Sequence, residues 1–118
     1  MKVFSARNCA ASLDVLNRFL EEEDKKAGPL RLIGMLNRQI RLLWQSKMIL
    51  NKGGGAKEVA EKLALPFFSA REFVDQTRHW SERELEKGLQ LLYEADARLK
   101  SGSRPKLALE NLIVSLCR

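Results

Sequence analysis

PLRLIGMLNRQIRLLWQSKMIL, residues 29–50, decides the fold of this chain. Its spacing predicts one long helix with Pro29 in the first turn, where a missing backbone N–H costs nothing. At helical rise the stretch is roughly 30 Å long, enough to cross a small domain. Ile33, Leu36, Ile40, Leu43 and Leu50 form one apolar stripe, and Leu32, Met35, Leu42 and Ile49 form a second beside it. Polar groups are confined mainly to a narrow strip, Arg31, Arg38, Arg41, Gln45 and Lys52. A helix that is apolar over most of its circumference is buried, so the other segments are expected to wrap around it.

Before this helix, residues 1–7 read as an entry segment. A first helix is expected from Asn8 to about Asp24, with Leu13, Leu16 and Leu20 as its stripe, Cys9 one turn earlier, and Val15 and Phe19 alongside. The charge run EEEDKK closes it as a solvated end, and Ala27-Gly28-Pro29 turns the chain into the central helix. After the central helix, Asn51 to Gly55 acts as a stop. Its glycine run is not a phosphate loop. Such a loop needs two glycines with four residues between them, then Lys and Ser or Thr, after a buried strand. Here the run follows a helix, and Lys57 precedes Glu58. A helix C-cap and link is the reading.

Two short helices follow, Ala56 to about Ala64 and Pro66 to about Arg78. Val59, Ala60 and Leu63 are expected to face inward from the first, and Phe67, Ala70, Phe73, Val74 and Thr77 from the second. The pair has helix-turn-helix spacing. A recognition helix, however, meets base edges with polar and basic residues at its N-terminal turn, and this one opens with Pro66, Phe67 and Phe68. The pair therefore reads as a packed corner. Ser81-Glu82-Arg83-Glu84 is a capping box. It begins a helix with the stripe Leu85, Leu89, Leu92 and Leu99, acidic at its start and basic, through Arg98 and Lys100, before Gly102. A last helix starts at Pro105, after the loop 101–104, and turns Ala108, Leu109, Leu112, Ile113 and Leu116 inward. The expected fold is all-α: one domain over 1–118, a compact bundle of about six helices around the long central one.

The chemistry-bearing residues are sparse. With 45% hydrophobic residues the chain belongs with folded globular domains. Arg38 and Arg41 interrupt the best candidate for a membrane span, and MKVFSARN lacks the apolar core of a signal peptide. Cys9 and Cys117 sit in helical apolar patterns and read as reduced core residues of a cytoplasmic protein. His79 is the only histidine, with no ligand or nucleophile at useful spacing, so no metal, cofactor or catalytic role is expected of it. Trp80 is expected to pack where two helices meet. Asp96 falls on the stripe of Leu92 and Leu99 and needs a partner there, because an unpaired buried carboxylate is costly. A structural ion pair with Arg38 or Arg41 is the expectation. A catalytic Asp96 would need a second acid, a metal ligand or a nucleophile beside it, and none is evident. The net charge of +6 permits nucleic-acid binding without requiring it. Lys100, Arg104 and Lys106 around the last loop are the candidate DNA-proximal groups, together with the strip Arg31, Arg38 and Arg41.

Two stretches carry a resemblance. PLRLIGMLNRQIRLLWQSKMIL resembles the helix reading P-x-x-L-L-x-M-L-x-R-Q-x-R-L-L-x-x-x-K in the delta subunit of bacterial DNA polymerase III clamp loaders. LEKGLQLLYEADARLKSGSRPKLALENLIVSLC, residues 85–117, resembles that family's C-terminal pattern, and AKEVAEKLAL-P fits its middle segment. The resemblance runs from about Asn8 to the end. Gly88 stands where the family tends to have Ala, and the glycine run is longer. The chain is much shorter than the whole subunit and lacks the AAA+-like N-terminal portion that engages the sliding clamp, so it resembles the C-terminal domain alone.

The resemblance implies a collar domain. In clamp loaders such domains associate into a ring that holds the ATPase modules together while the clamp is opened and placed on primed DNA. It implies ATPase subunits of the gamma/tau type and a delta-prime subunit as partners, with no membrane. It also implies no catalysis by this part, although the parent complex resembles a DNA-directed DNA polymerase. Association would use apolar helix faces left over after the core is filled. Trp44, Met48, Phe68 and Tyr93, large residues at the margins of their core stripes, are the candidate subunit interface. A basic DNA-binding module, marked by affinity that falls with salt, and a small helical enzyme with a polar pocket are the alternatives.

Overall fold

The computed structural model describes residues 8–22 and 27–117. Through them run α1 (Cys9–Glu22), α2 (Ala27–Asn51), α3 (Ala56–Leu63), α4 (Phe67–Gln76), a 3-10 turn (Thr77–His79), α5 (Glu82–Lys100) and α6 (Pro105–Cys117). The expected all-α bundle forms, with no strand among the described residues.

Side chains and glycines set where the helices begin and end. The Oδ1 of Asn8 accepts the Ala11 amide at 3.1 Å and caps α1. The Ser81 hydroxyl accepts the Glu84 amide at 3.1 Å, and Glu84 Oε1 accepts the Ser81 amide at 2.9 Å, so the capping box of α5 is complete. Both long helices end on a left-handed glycine. At α2 the Gly54 amide reaches back to the Ile49 carbonyl across Gly53 (φ 90°), and at α5 the Ser103 amide reaches Arg98 across Gly102 (φ 99°), each at 3.0 Å. This closure ties up carbonyls that have no partner within the helix. At α3 the same job falls to Ala64, a non-glycine at φ 54°.

α2 is the hub. It packs most extensively on α5 and also touches each of the other helices. The Nδ2 of Asn51 donates to Glu82 Oε1 at 2.7 Å, while Asn37 shares a groove with Asp96, so α2 and α5 run antiparallel. The core forms where Leu36, Ile40 and Leu43 of α2 meet Leu85 and Leu92 of α5 and Leu109 of α6. Each such side chain contributes about 1.5–3 kcal/mol on burial. Trp80 is buried in the same cluster. Gly88 lets the three helices close up: a Cβ there would lie 3.1 Å from Ile40 Cδ1 and 3.2 Å from Leu116 Cδ2. α1 adds Leu16 to the core and lies mainly on α6. The α3–α4 corner buries Val59 and Ala70 and folds against the C-terminal half of α2, where Lys47 Nζ donates to the Thr77 carbonyl at 3.3 Å.

Several expectations change. The turn at Ala27-Gly28-Pro29 is already helical, since Pro29 falls where the first-turn amides lack partners anyway. Asp24, the expected end of the first helix, lies outside the described residues. The central helix is not wrapped all round, because Leu30, Met35 and Met48 are exposed. Phe67, expected inside, is exposed because it occupies the first helical position of α4, beyond the corner's contact with α2. Val15 is exposed as well, and the two free cysteines are only half-buried.

Candidate functional site

α2 carries more apolar side chain than the described chain covers. Leu30, Asn37 and Trp44 recur every seven residues, and Met48 follows Trp44 by one turn, so the four lie along one edge of the helix. On that edge α2 and α5 leave an open groove of about 320 Å³. Leu30 and Tyr93 form its apolar rims, Ile33 and Leu92 its base, and Gly34, Asn37 and Asp96 its sides. Tyr93 is 75% exposed although it stands beside a core helix. Gly34 is exposed, and among the described residues nothing lies within 4 Å of where its Cβ would be.

The four candidate interface residues divide. Met48 and Tyr93 are exposed on the α2–α5 side. Trp44, on the same edge as Met48, is half-buried and packs against the core. Phe68 is 69% exposed but belongs to a different element, the first turn of α4, next to the exposed Phe67.

The expected tie between Asp96 and the central helix is replaced by a local one. Asp96 Oδ2 pairs with Lys100 Nζ at 2.9 Å, one turn along α5. The carboxylate is a third exposed at the groove's edge, so water and a neighbour on its own helix satisfy it. Arg38 and Arg41 instead point outward with the rest of their strip, all of which is exposed. Of the loop cations, Lys100 is therefore engaged with Asp96, while Arg104 and Lys106 are exposed. Among the described residues no three His, Cys, Asp or Glu side chains gather as a metal site, and His79 is exposed. No helix among them is long and apolar enough to cross a membrane.

Gly34 and Leu30 escaped the sequence reading, since neither belongs to a stripe. The available signal was a glycine in the interior of a long helix, where it costs about 1 kcal/mol against alanine.

Comparison with known proteins points one way. The family described as DNA polymerase III delta subunit, C-terminal domain, matches residues 1–116. DNA polymerase III subunit delta of Bacillus subtilis (strain 168) is 28% identical over 113 residues, which is 95% of this chain and 32% of that protein. The solved structure of the Bacillus subtilis DNA clamp loader delta protein superposes with a TM-score of 0.81 at 27% identity, over 98% of this chain and 33% of that one. The chain thus spans about a third of the length of the relatives it matches.

Proposed function

This chain belongs to the family of C-terminal domains of the DNA polymerase III delta subunit, and on that premise we propose that it is a collar: a non-catalytic domain that associates through its helix faces and holds a clamp-loader ring together. Its partners in this reading are ATPase subunits of the gamma/tau type and a delta-prime subunit. The sliding clamp is engaged by a part of the parent subunit outside this chain, and the assembled loader opens the clamp and places it on primed DNA in the bacterial cytoplasm. This chain contributes contact area and no chemical step.

The observation that carries the proposal is the apolar surface left over on α2 and α5, with Met48 and Tyr93 exposed and Trp44 at its margin. Phe68 supplies a second exposed aromatic on α4. Aromatic anchors dominate interface energies, each worth about 2 kcal/mol or more when buried centrally. A standard interface covers about 800 Å² per partner, roughly a tenth of the 7441 Å² this chain exposes.

The test is size-exclusion chromatography with light scattering. The chain is run alone, then mixed with the C-terminal domains of the ATPase and delta-prime subunits of the same genome. Co-elution as a mixed assembly is expected. A monomer that ignores all of them would overturn the proposal.

A further inference from the structure

We propose that the α2–α5 groove receives a helix from a neighbouring loader subunit, with its apolar stripe flanked by acidic side chains, and that Gly34 is the point of closest approach; this rests on the collar reading above. Gly34 is a residue the described chain does not use. It lies well inside α2, its φ is negative like that of any helical residue, and no atom of the described residues crowds the place of its Cβ. A glycine that serves neither a turn nor internal packing weakens its helix without return. It does leave a bare stretch of backbone at the side of an apolar groove, which lets a second helix come close.

Charge selects the occupant. Arg38 and Arg41 follow Gly34 by one and two turns, so they flank the groove on the α2 side, and both are exposed. The α5 side is mixed: Asp96 lines the groove but is paired with Lys100, and Glu86 lies one heptad before Tyr93. The α2 rim therefore sets the sign, and an acidic flank on the incoming helix meets it favourably. A second copy of this chain would bring the same arginines against themselves, on a molecule already at +6. The occupant is thus a helix of a different protein.

Binding of this chain to the ATPase and delta-prime subunits, measured by sedimentation velocity, tests the proposal with three variants. Gly34→Met fills the bare backbone with a good helix former, so it is expected to raise Tm while weakening association at least tenfold. Opposite signs on stability and binding are the signature of a contact made only with a partner. Tyr93→Lys, at an exposed position, is expected to weaken association to a similar degree and decides the matter if Gly34→Met fails to fold. Arg38→Glu is expected to weaken association and to flatten its dependence on salt. Unchanged binding by folded Gly34→Met and Tyr93→Lys, with the wild type still associating, would overturn the groove and leave the collar standing. Self-association of the chain alone, abolished by Gly34→Met, would make the occupant a second copy and overturn the proposal. A wild type that binds none of these proteins would remove the collar reading and the groove with it.

Discussion

Gly34 and Gly88 lie inside the two longest helices and have opposite surroundings. Each forgoes about 1 kcal/mol of helix propensity relative to alanine. At Gly88 the chain recovers that loss. The missing Cβ lets Ile40 and Leu116 approach, and α2, α5 and α6 close into one core. At Gly34 nothing in the described chain approaches. One glycine is consumed by folding, while the other is left at the edge of an open groove beside Leu30 and Tyr93. A sequence that makes α2 apolar nearly all round supplies more buried-type surface than the described helices cover, and part of the surplus, Leu30 and Met48, lies along the groove's edge.

Removing side-chain volume from the covered and the uncovered side of α2 should separate the two most strongly. Ile40→Ala, beneath Gly88, is expected to cost about 4 kcal/mol in chemical denaturation, from lost burial plus a cavity. Met35→Ala, 43% exposed, is expected to cost less than about 1 kcal/mol. Equal losses would mean that α2 is closed all round after all.

Adding volume runs the comparison in reverse. Gly88→Leu is expected to destabilise by about 3 kcal/mol, because the added atoms have nowhere to go between Ile40 and Leu116. Gly34→Leu is expected to stabilise the isolated chain by up to about 1 kcal/mol, through helix propensity alone. Thermal melts of the two variants moving in the same direction would sink the distinction.

A third position separates the use of glycine for size from its use for backbone shape. Ala64 holds φ 54° at the end of α3, where the Leu65 amide reaches the Ala60 carbonyl at 3.0 Å. Gly53 and Gly102 perform the equivalent turn elsewhere. Ala64→Gly is expected to stabilise by about 0.5 kcal/mol, the relieved left-handed strain slightly exceeding the added chain entropy. The smallest effect is expected at the groove's edge. Asp96→Asn removes only a half-exposed pair with Lys100, and the change in stability at neutral pH is expected to stay under about 0.5 kcal/mol. A larger loss would point to a tie between Asp96 and Arg38 or Arg41 across the groove, and so to a less open site.

Helix positions were legible because their signals lie within a turn or two of the residues they govern. The Ser81–Glu84 box, the glycines after α2 and α5, and Pro105 at the head of α6 each act on their nearest backbone groups, and each sits where the sequence places it. The core stripes through Ile40, Leu85 and Leu109 follow from period alone. The family resemblance was readable for the same reason, since it rests on those stripes in order, and the match over residues 1–116 agrees with it.

Residues of one kind on one stripe were not distinguishable. Met35 and Leu42 stand seven residues apart on α2, yet Leu42 is buried and Met35 is exposed. The corner of α3 and α4 folds against the C-terminal half of α2 and does not cover Met35. Asp96 met the same limit: its stripe position suggested burial, but the open groove gave it water and Lys100.

Short-range signals set an all-helical chain, the glycine stops of α2 and α5, the capped start of α5 and the main core stripe of each long helix. Those follow from hydrogen bonding and side-chain period over a few residues. The tertiary structure alone decided which apolar surface stays bare, that Gly88 is filled and Gly34 open, and that Asp96 stays on its own helix. Coverage depends on the reach and direction of distant elements, and nothing within a turn of a residue specifies what comes to lie above it.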